Sequence, residues 1–253
     1  MIDFDQANSH FQPFMNFTAA GMTHVGKVRK KNEDSFFCDS ENCIYAVADG
    51  LGGLPFGDLA SKAVVQYLEL WTNSRKNDDW KGIHWPTLMK EVNHQVIQTG
   101  QMSAHGLGIG TTLSLGMIRD NNLEVSHIGD SRIYLIRNGK IEQITTDHTL
   151  ETFAREQKQI PDDQEVPEHY KHTLTQCLGQ RELIKPDFTE HQILSGDRLL
   201  ICSDGISGPV SEDEILHILT ARNTPEASLE QLVQTTLDNG APDNVTGVVV
   251  FAE

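Results

Sequence analysis

Cys43-Ile-Tyr-Ala-Val-Ala-Asp49-Gly50 is an apolar β-type run that ends on a carboxylate and then a glycine, and Arg198-Leu-Leu-Ile-Cys-Ser-Asp204-Gly205 repeats the arrangement. Ala241-Pro-Asp243-Asn244-Val245 reverses it: a Pro-Asp-Asn turn feeds the apolar run 245–251. Carboxylates at strand ends stand on rigid supports at the rim of a buried sheet, which is how hard divalent cations want their oxygen ligands held. The three aspartates are far apart in sequence, so only a fold can bring them together. If it does, the result is an all-oxygen site suited to magnesium or manganese. One Asp-Gly pair is a common turn; two at apolar strand ends, with Asp243-Asn244, carry more weight.

Outward from these runs the pattern is mixed. Residues 17–21, 35–38 and 43–48 read as strands, the last two joined by the turn 39–42. Ala60, Ala63, Val64, Tyr67, Leu68 and Trp71 recur at helical spacing from Gly57 onward. Residues 72–82 read as a polar loop, and a second helix spans 85–102 with Pro86 in its first turn. Short strands follow over 111–118, 123–128, 131–137 and 140–144, with Asn138-Gly139 a strong hairpin turn. Residues 147–180 are polar, carry Pro161 and Pro167, and read as an excursion from the sheet. Strands return over 188–194 and 198–203. Ser211 and Glu214 make a capping box for a helix to about 221, a further helix covers 225–237, and 245–252 closes the sheet. Clustered strands with helices in pairs do not fit strict β-α-β alternation and suit antiparallel sheets covered by helix pairs.

Two further segments can carry chemistry. Asp130, in Ser126-His-Ile-Gly-Asp-Ser-Arg132, is either a hairpin-turn residue or another carboxylate at the same rim. Arg29-Lys-Lys-Asn-Glu-Asp34 is either a solvated mixed-charge loop or a phosphate-binding guanidinium followed by Glu33 and Asp34, which could hold waters around a metal.

The chain has 253 residues, which suits one large domain or two small ones and is enough to bury a sizeable core. With 20 Lys and Arg against 36 Asp and Glu the formal charge is −16, which disfavours nucleic acid and anionic lipid as partners. Cys38, Cys43, Cys177 and Cys202 form no CxxC pair and no zinc spacing; Cys43, Cys177 and Cys202 lie in apolar runs and read as buried free thiols, which fits a reducing compartment. Residues 1–16 read as a leader without the charge and apolar core of a secretory signal, and no apolar run reaches membrane-spanning length. The expectation is a soluble cytoplasmic protein.

Taken in order, Gly26-Lys-Val-Arg29-Lys-Lys-Asn-Glu-Asp34, Val47-Ala-Asp49-Gly-Leu-Gly-Gly53, Gly57-Asp-Leu-Ala-Ser61, Gly110-Thr-Thr112, His127-Ile-Gly-Asp130-Ser-Arg132, Leu174-Thr-Gln-Cys-Leu-Gly179, Cys202-Ser-Asp204-Gly205 and Pro242-Asp243-Asn244 resemble the PPM family, the metal-dependent protein serine/threonine phosphatases of type 2C, in compact bacterial form. Each motif is weak alone; eight in order over 17–252 are not. The resemblance implies an α+β fold, a four-layer α-β-β-α sandwich of two mainly antiparallel sheets flanked by helix pairs. It implies one catalytic domain over 17–253, with 147–180 as a flap that touches substrate.

It also implies two Mn2+ or Mg2+ ions and a third, weaker one. Asp49 matches the carboxylate that bridges two ions, Gly50 the residue offering its carbonyl, Asp204 and Asp243 ligands of the first ion, and Asp130, with Asp204, the holder of the third. Asp34 matches a residue that binds the metals' waters, and Arg29 the phosphate-binding arginine, so Arg29, Asp34 and Asp49 are the catalytic candidates. The implied substrate is a phosphoserine or phosphothreonine protein, the implied partner a bacterial Ser/Thr kinase acting in opposition, and the implied state a monomer. Relatives often carry a histidine, a candidate acid for the leaving alkoxide, where this chain has Leu51 or Leu54; that leaves the acid unassigned, with His127, His148 and His172 read as structural or exposed. Asp58 stands where the family usually has Glu. The alternatives are a pseudophosphatase that acts as a protein-binding module and a phosphatase of small phosphomonoesters.

Overall fold

The computed structural model describes residues 15–52, 56–75, 82–104, 108–161 and 164–253. Its strands are β1 (Phe17–His24), β2 (Asp34–Asp39), β3 (Ile44–Asp49), β4 (Leu113–Arg119), β5 (Asn122–Ile128), β6 (Arg132–Arg137), β7 (Lys140–Gln143), β8 (Asp187–Gln192), β9 (Arg198–Cys202) and β10 (Val245–Ala252). They form two five-stranded sheets, ordered β1-β10-β9-β6-β7 and β2-β3-β4-β5-β8, and neighbouring strands in both run antiparallel.

Side-chain alternation explains why so many strands read as unbroken apolar runs. Successive residues of a strand point to opposite faces. In β3, Ile44, Ala46 and Ala48 pack under the helices α1 (Gly57–Ser74) and α2 (Trp85–Ser103), while Tyr45 and Val47 face the other sheet. In β9, Leu199 and Ile201 join Tyr45 and Val47 in the layer between the sheets. Leu200 and Cys202 turn outward under α6 (Glu212–Ala221) and α7 (Pro225–Asp238). β10 divides in the same way, Val248 and Val250 inward, Val249 and Phe251 outward. Both faces of each central strand are therefore covered, and the layers run α-β-β-α as expected.

The helices carry their own start signals. Ser211 accepts from the Glu214 amide while Glu214 reaches back to Ser211, completing the capping box of α6. Thr224 caps α7, with Pro225 at its first position. Between β7 and β8 lie two short helices, α3 (Leu150–Glu156) and α4 (Glu168–His172). Their segment is tied at its neck: the Leu150 amide donates to Thr173 O and the Thr175 amide to His148 O. Asn93 of α2 also pins its return, accepting from the Gly179 amide at 2.7 Å and donating to Gln180 O at 3.0 Å.

Several local expectations need correction. α1 runs through 72–74, because Trp71 and Thr72 are buried under it rather than free in a loop. Thr111 stands outside β4, in isolated bridges to Gly50 and Leu178. Cys43 is half-buried at the hairpin end, whereas Cys177 and Cys202 are buried; all four thiols are free. Residues 1–14 of the leader over 1–16, and Leu54, lie outside the described residues; Asn16 pairs with the Glu253 backbone. Among the described residues, no helix is long and apolar enough to cross a membrane.

Candidate metal centre

The alternation that builds the layer between the sheets also builds the site. Asp49 is the next residue after Tyr45 and Val47 on the face that points between the sheets, so it lies at the mouth of that layer. Asp34 is its direct partner in register on β2, and opposed residues share a face. Ser203, just past β9, and Thr246, near the start of β10, meet at the same end, where the Ser203 amide donates to Thr246 O at 3.0 Å. Ser203 Oγ donates to Asp34 Oδ2 at 2.8 Å, and Thr246 Oγ1 lies 2.6 Å from Thr23 Oγ1. A small polar network thus closes the apolar layer behind the rim.

Beyond it opens a cleft of about 1670 Å³. Arg29, Asp49, Gly50, Asp130, Asp204 and Asp243 all line it, so the fold brings together every sequence-selected site residue except one at a single surface. The exception is Asp34, which is 5% exposed and sits behind Asp49. Asp204 opens the one-turn helix α5 (Asp204–Ser207), an element the sequence pattern did not reveal. Asp130 follows Gly129 in the β5–β6 turn.

The glycines of the two Asp-Gly pairs are required by the protein's own backbone. A side-chain carbon on Gly50 would lie 2.3 Å from Gly57 O and 2.6 Å from Glu33 O, and one on Gly205 only 1.7 Å from Asn244 O. The second contact brings the start of α5 against the turn that carries Asp243. Asn244 completes the tie: its Oδ1 accepts from the Glu33 amide, and its Nδ2 donates to Val25 O and Lys31 O. The loop holding Arg29 is therefore laced to the Asp243 turn, and Arg29 Nη2 donates to Asp243 Oδ2 at 2.7 Å. Thr111 and Thr112 fix Asp49 from the other side: Thr111 Oγ1 donates to Asp49 O, and Thr112 Oγ1 accepts from its amide. Asn244, Ser203 and Thr111 are supports that sequence reasoning did not assign; their partners depend on register and loop closure, which no local pattern encodes.

The electrostatics are those of crowded acid. Burial, followed by the charges of Asp34, Asp204, Asp130 and Asp243, holds Asp49 well above the usual carboxylate range. Asp49 still touches solvent, but from the floor of the cleft with carboxylates on several sides. Burial also pushes Asp130 up to about 8, with Asp204 and Asp147 adding to it. Asp34 rises to about 6, chiefly through burial, with hydrogen bonds from Thr246 and Ser203 pulling the other way. Asp204 is raised by burial and by Asp243. Burial works against the charge on Arg29, but Asp243, Glu33 and Asp49 outweigh it and the guanidinium is held more firmly protonated.

Such a cluster calls for cations or protons. Its donors are oxygens, which suits Mg2+ or Mn2+ over softer metals. Among the described residues no three carboxylate, imidazole or thiol groups close into a cage around one point. Carboxylates spread along a cleft fit ions that keep several waters and take only one or two carboxylates each. Where relatives carry a histidine, Leu51 is apolar filler: its amide donates to Gly110 O, and its Cδ1 leaves no space for a side chain on Gly110.

The histidines separate cleanly. His127 is buried, with Ser114 Oγ at 2.9 Å and Thr146 O at 3.1 Å from its two ring nitrogens, and burial then the neighbouring His148 drive its pKa down to about 3. His148 stacks 5.0 Å from it, between the Gly129 amide and Asp187. Both are structural, as expected. His172, at the end of α4, instead lines the cleft.

The chain is similar in sequence and fold to known proteins. Residues 21–245 match the family described as protein phosphatase 2C. The chain is 35% identical over 231 residues to the serine/threonine protein phosphatase PstP of Mycobacterium tuberculosis, covering 91% of this chain but 44% of PstP, so it spans under half the length of that relative. It is 34% identical over 234 residues to the protein phosphatase PhpP of Streptococcus pneumoniae, covering 90% of this chain and 95% of PhpP. The crystal structure of the PstP catalytic domain in complex with two manganese ions superposes with a TM-score of 0.78 at 32% identity, covering 94% of this chain and 99% of that one.

Proposed function

The chain belongs to the protein phosphatase 2C family, and from that premise we propose that it is a metal-dependent protein phosphatase that hydrolyses phosphoserine and phosphothreonine with a water nucleophile. The observation that carries the reading is the convergence of Asp49, Asp130, Asp204 and Asp243 with Arg29 on one cleft.

Asp49, Gly50, Asp204 and Asp243 would hold two Mn2+ or Mg2+ ions, and Asp130 with Asp204 a third. When bound, such ions lower the pKa of water and supply hydroxide at neutral pH. The chain's own residues do the rest. Arg29 offers a planar fork of donors to the phosphoryl oxygens and steadies charge that grows there as the ester bond breaks. Its present partner, Asp243 Oδ2, takes only one of those donors. Asp34, which Ser203 fixes behind Asp49 and off the cleft surface, would help hold the waters of the bound ions. The 147–180 segment, which supplies Thr149, Arg155, Lys171 and His172 to the cleft, acts as the flap that meets the rest of the substrate. A cleft of this size and openness accepts a protein loop. A binding module without turnover gains nothing from a site that retains every expected carboxylate.

We place the catalytic unit at 17–253 and read it as a monomer in the cytoplasm that removes phosphate added by a cognate Ser/Thr kinase. The test is phosphate release from a phosphothreonine peptide with manganese and with chelator. Metal-dependent release supports the reading; none from folded, manganese-supplied protein on several phosphopeptides contradicts it.

A further inference from the structure

Loss of a serine or threonine alkoxide is the hard part of this reaction, because the departing oxygen is strongly basic and needs a proton as it leaves. Among the described residues lining the cleft, His172 is the one imidazole. His127 and His148 are spent on sheet and turn contacts. His172 is still well exposed, so its ring can reach a bound group. Its Nε2 lies 3.3 Å from Glu168 Oε1, one helical turn back, an arrangement that orients the ring. It lines the same cleft as Asp49, Asp130, Asp204 and Asp243. Lys171 also lines the cleft, but Glu168 holds its ammonium more firmly protonated, which makes it the poorer donor.

We propose that His172, carried on the flap, is the general acid that protonates the leaving serine or threonine oxygen, with Glu168 as its positioning residue. The inference rests on the phosphatase reading above. As the water oxygen bonds to phosphorus, the ester P–O bond breaks and its electron pair passes to the side-chain oxygen. The imidazolium proton follows that pair, giving the free hydroxyl and inorganic phosphate. The neutral imidazole regains a proton from solvent, which receives the one shed by the attacking water. The acid thus comes from the α4 side of the cleft rather than from the strand β3 side, where Leu51 cannot serve.

The test compares wild type and His172→Gln on a phosphothreonine peptide and on a series of substituted phenyl phosphates of one size, from 4-nitrophenyl phosphate, whose leaving anion is stable, to phenyl phosphate. The expected loss in kcat grows along the series, from slight with 4-nitrophenyl phosphate to on the order of 100-fold with the peptide. KM changes little, and manganese binding measured by calorimetry matches wild type. A uniform loss across the aryl series, a loss confined to KM, or weakened manganese binding would overturn the assignment and make His172 a structural or docking residue. Wild-type turnover of the same substrates reports separately on the phosphatase reading: if wild type is inactive with manganese, that premise fails and the inference with it.

Discussion

On one wall of the cleft each carboxylate stands on a strand end or within two residues of one: Asp49 at the end of β3, Asp130 after β5, Asp204 after β9 and Asp243 before β10, with Asp34 behind Asp49 on β2. These positions are cross-tied by backbone contacts and by Asn244, and a one-residue slip of register would turn Asp34 and Asp49 to the wrong face. The other wall is made of α3 and α4, helices of 7 and 5 residues, too short to be stable on their own. They are held by the Thr149 cap and by partly exposed pairs such as Arg155 with Glu151 and Lys171 with Glu168. Pairs of that kind contribute little each. The difference teaches where precision is needed: the carboxylates are built on sheet, while the proposed substrate-contacting side chains stand on short helices held by few contacts.

If that contrast is right, damage to the first wall should abolish chemistry and damage to the second should tune it. The largest effect is expected from Asp204→Asn, which removes a ligand charge without adding bulk. Metal-dependent turnover should fall by at least about 100-fold, more than is usual for groups that merely orient a ligand, with far-UV circular dichroism unchanged. Full activity would remove Asp204 from the metal site.

Next comes Asn244→Ala, which strips three part-buried backbone groups of their partner. Roughly 2 kcal/mol of stability should be lost, seen as a drop in melting temperature of about 5 °C. Phosphopeptide KM should rise as Arg29 loosens. A wild-type melting curve would mean the Arg29 loop is held by something else.

A third effect separates the walls by pH. In chelator-treated protein the rim carboxyls keep their protons to higher pH than they do in the unfolded chain, Asp34 to about 6 and Asp130 to about 8. The folded state then binds more protons than the unfolded one between about pH 4 and 8, so stability falls as pH rises through that window. Manganese should offset the loss, raising the melting temperature more at pH 8 than at pH 5. Equal metal stabilisation at both would sever the link between these carboxyls and the ion.

The smallest effect should come from Arg155→Ala in the flap, which cuts contacts to Glu151, Pro161 O and Gln164 O. Phosphopeptide turnover is expected to drop several-fold, in line with partly exposed contacts, while turnover of a small aryl phosphate falls less. Equal losses on both would mean the second wall also supports the chemistry.

Much of the first wall was legible in the sequence. An apolar run ending in Asp-Gly states both that a strand is buried and that a carboxylate closes it, and β3 and β9 are such runs. Local pattern left Arg29, Asp34 and Asp130 open between loop residues and site residues, and the order of motifs along the chain, through a family resemblance, favoured the site. The burial of Asp34 behind Asp49 was not legible, because it follows from register between β2 and β3 and from Ser203 arriving from the other sheet. Asn244 reads as a turn residue until loop 25–33 closes on it. The flap gave least: short helices with mixed charge have no period to read, so nothing in the spacing of His172 distinguishes it from His127 or His148.

The most direct test of the account is manganese dependence of phosphothreonine-peptide hydrolysis in wild type and Asp243→Asn side by side. Wild type should show saturable activation by manganese, and the variant should lose turnover at matched metal with manganese binding weakened in calorimetry. Equal turnover and equal manganese binding by the two proteins would contradict the account, since the carboxylate paired with Arg29 would then have no part in the metal centre.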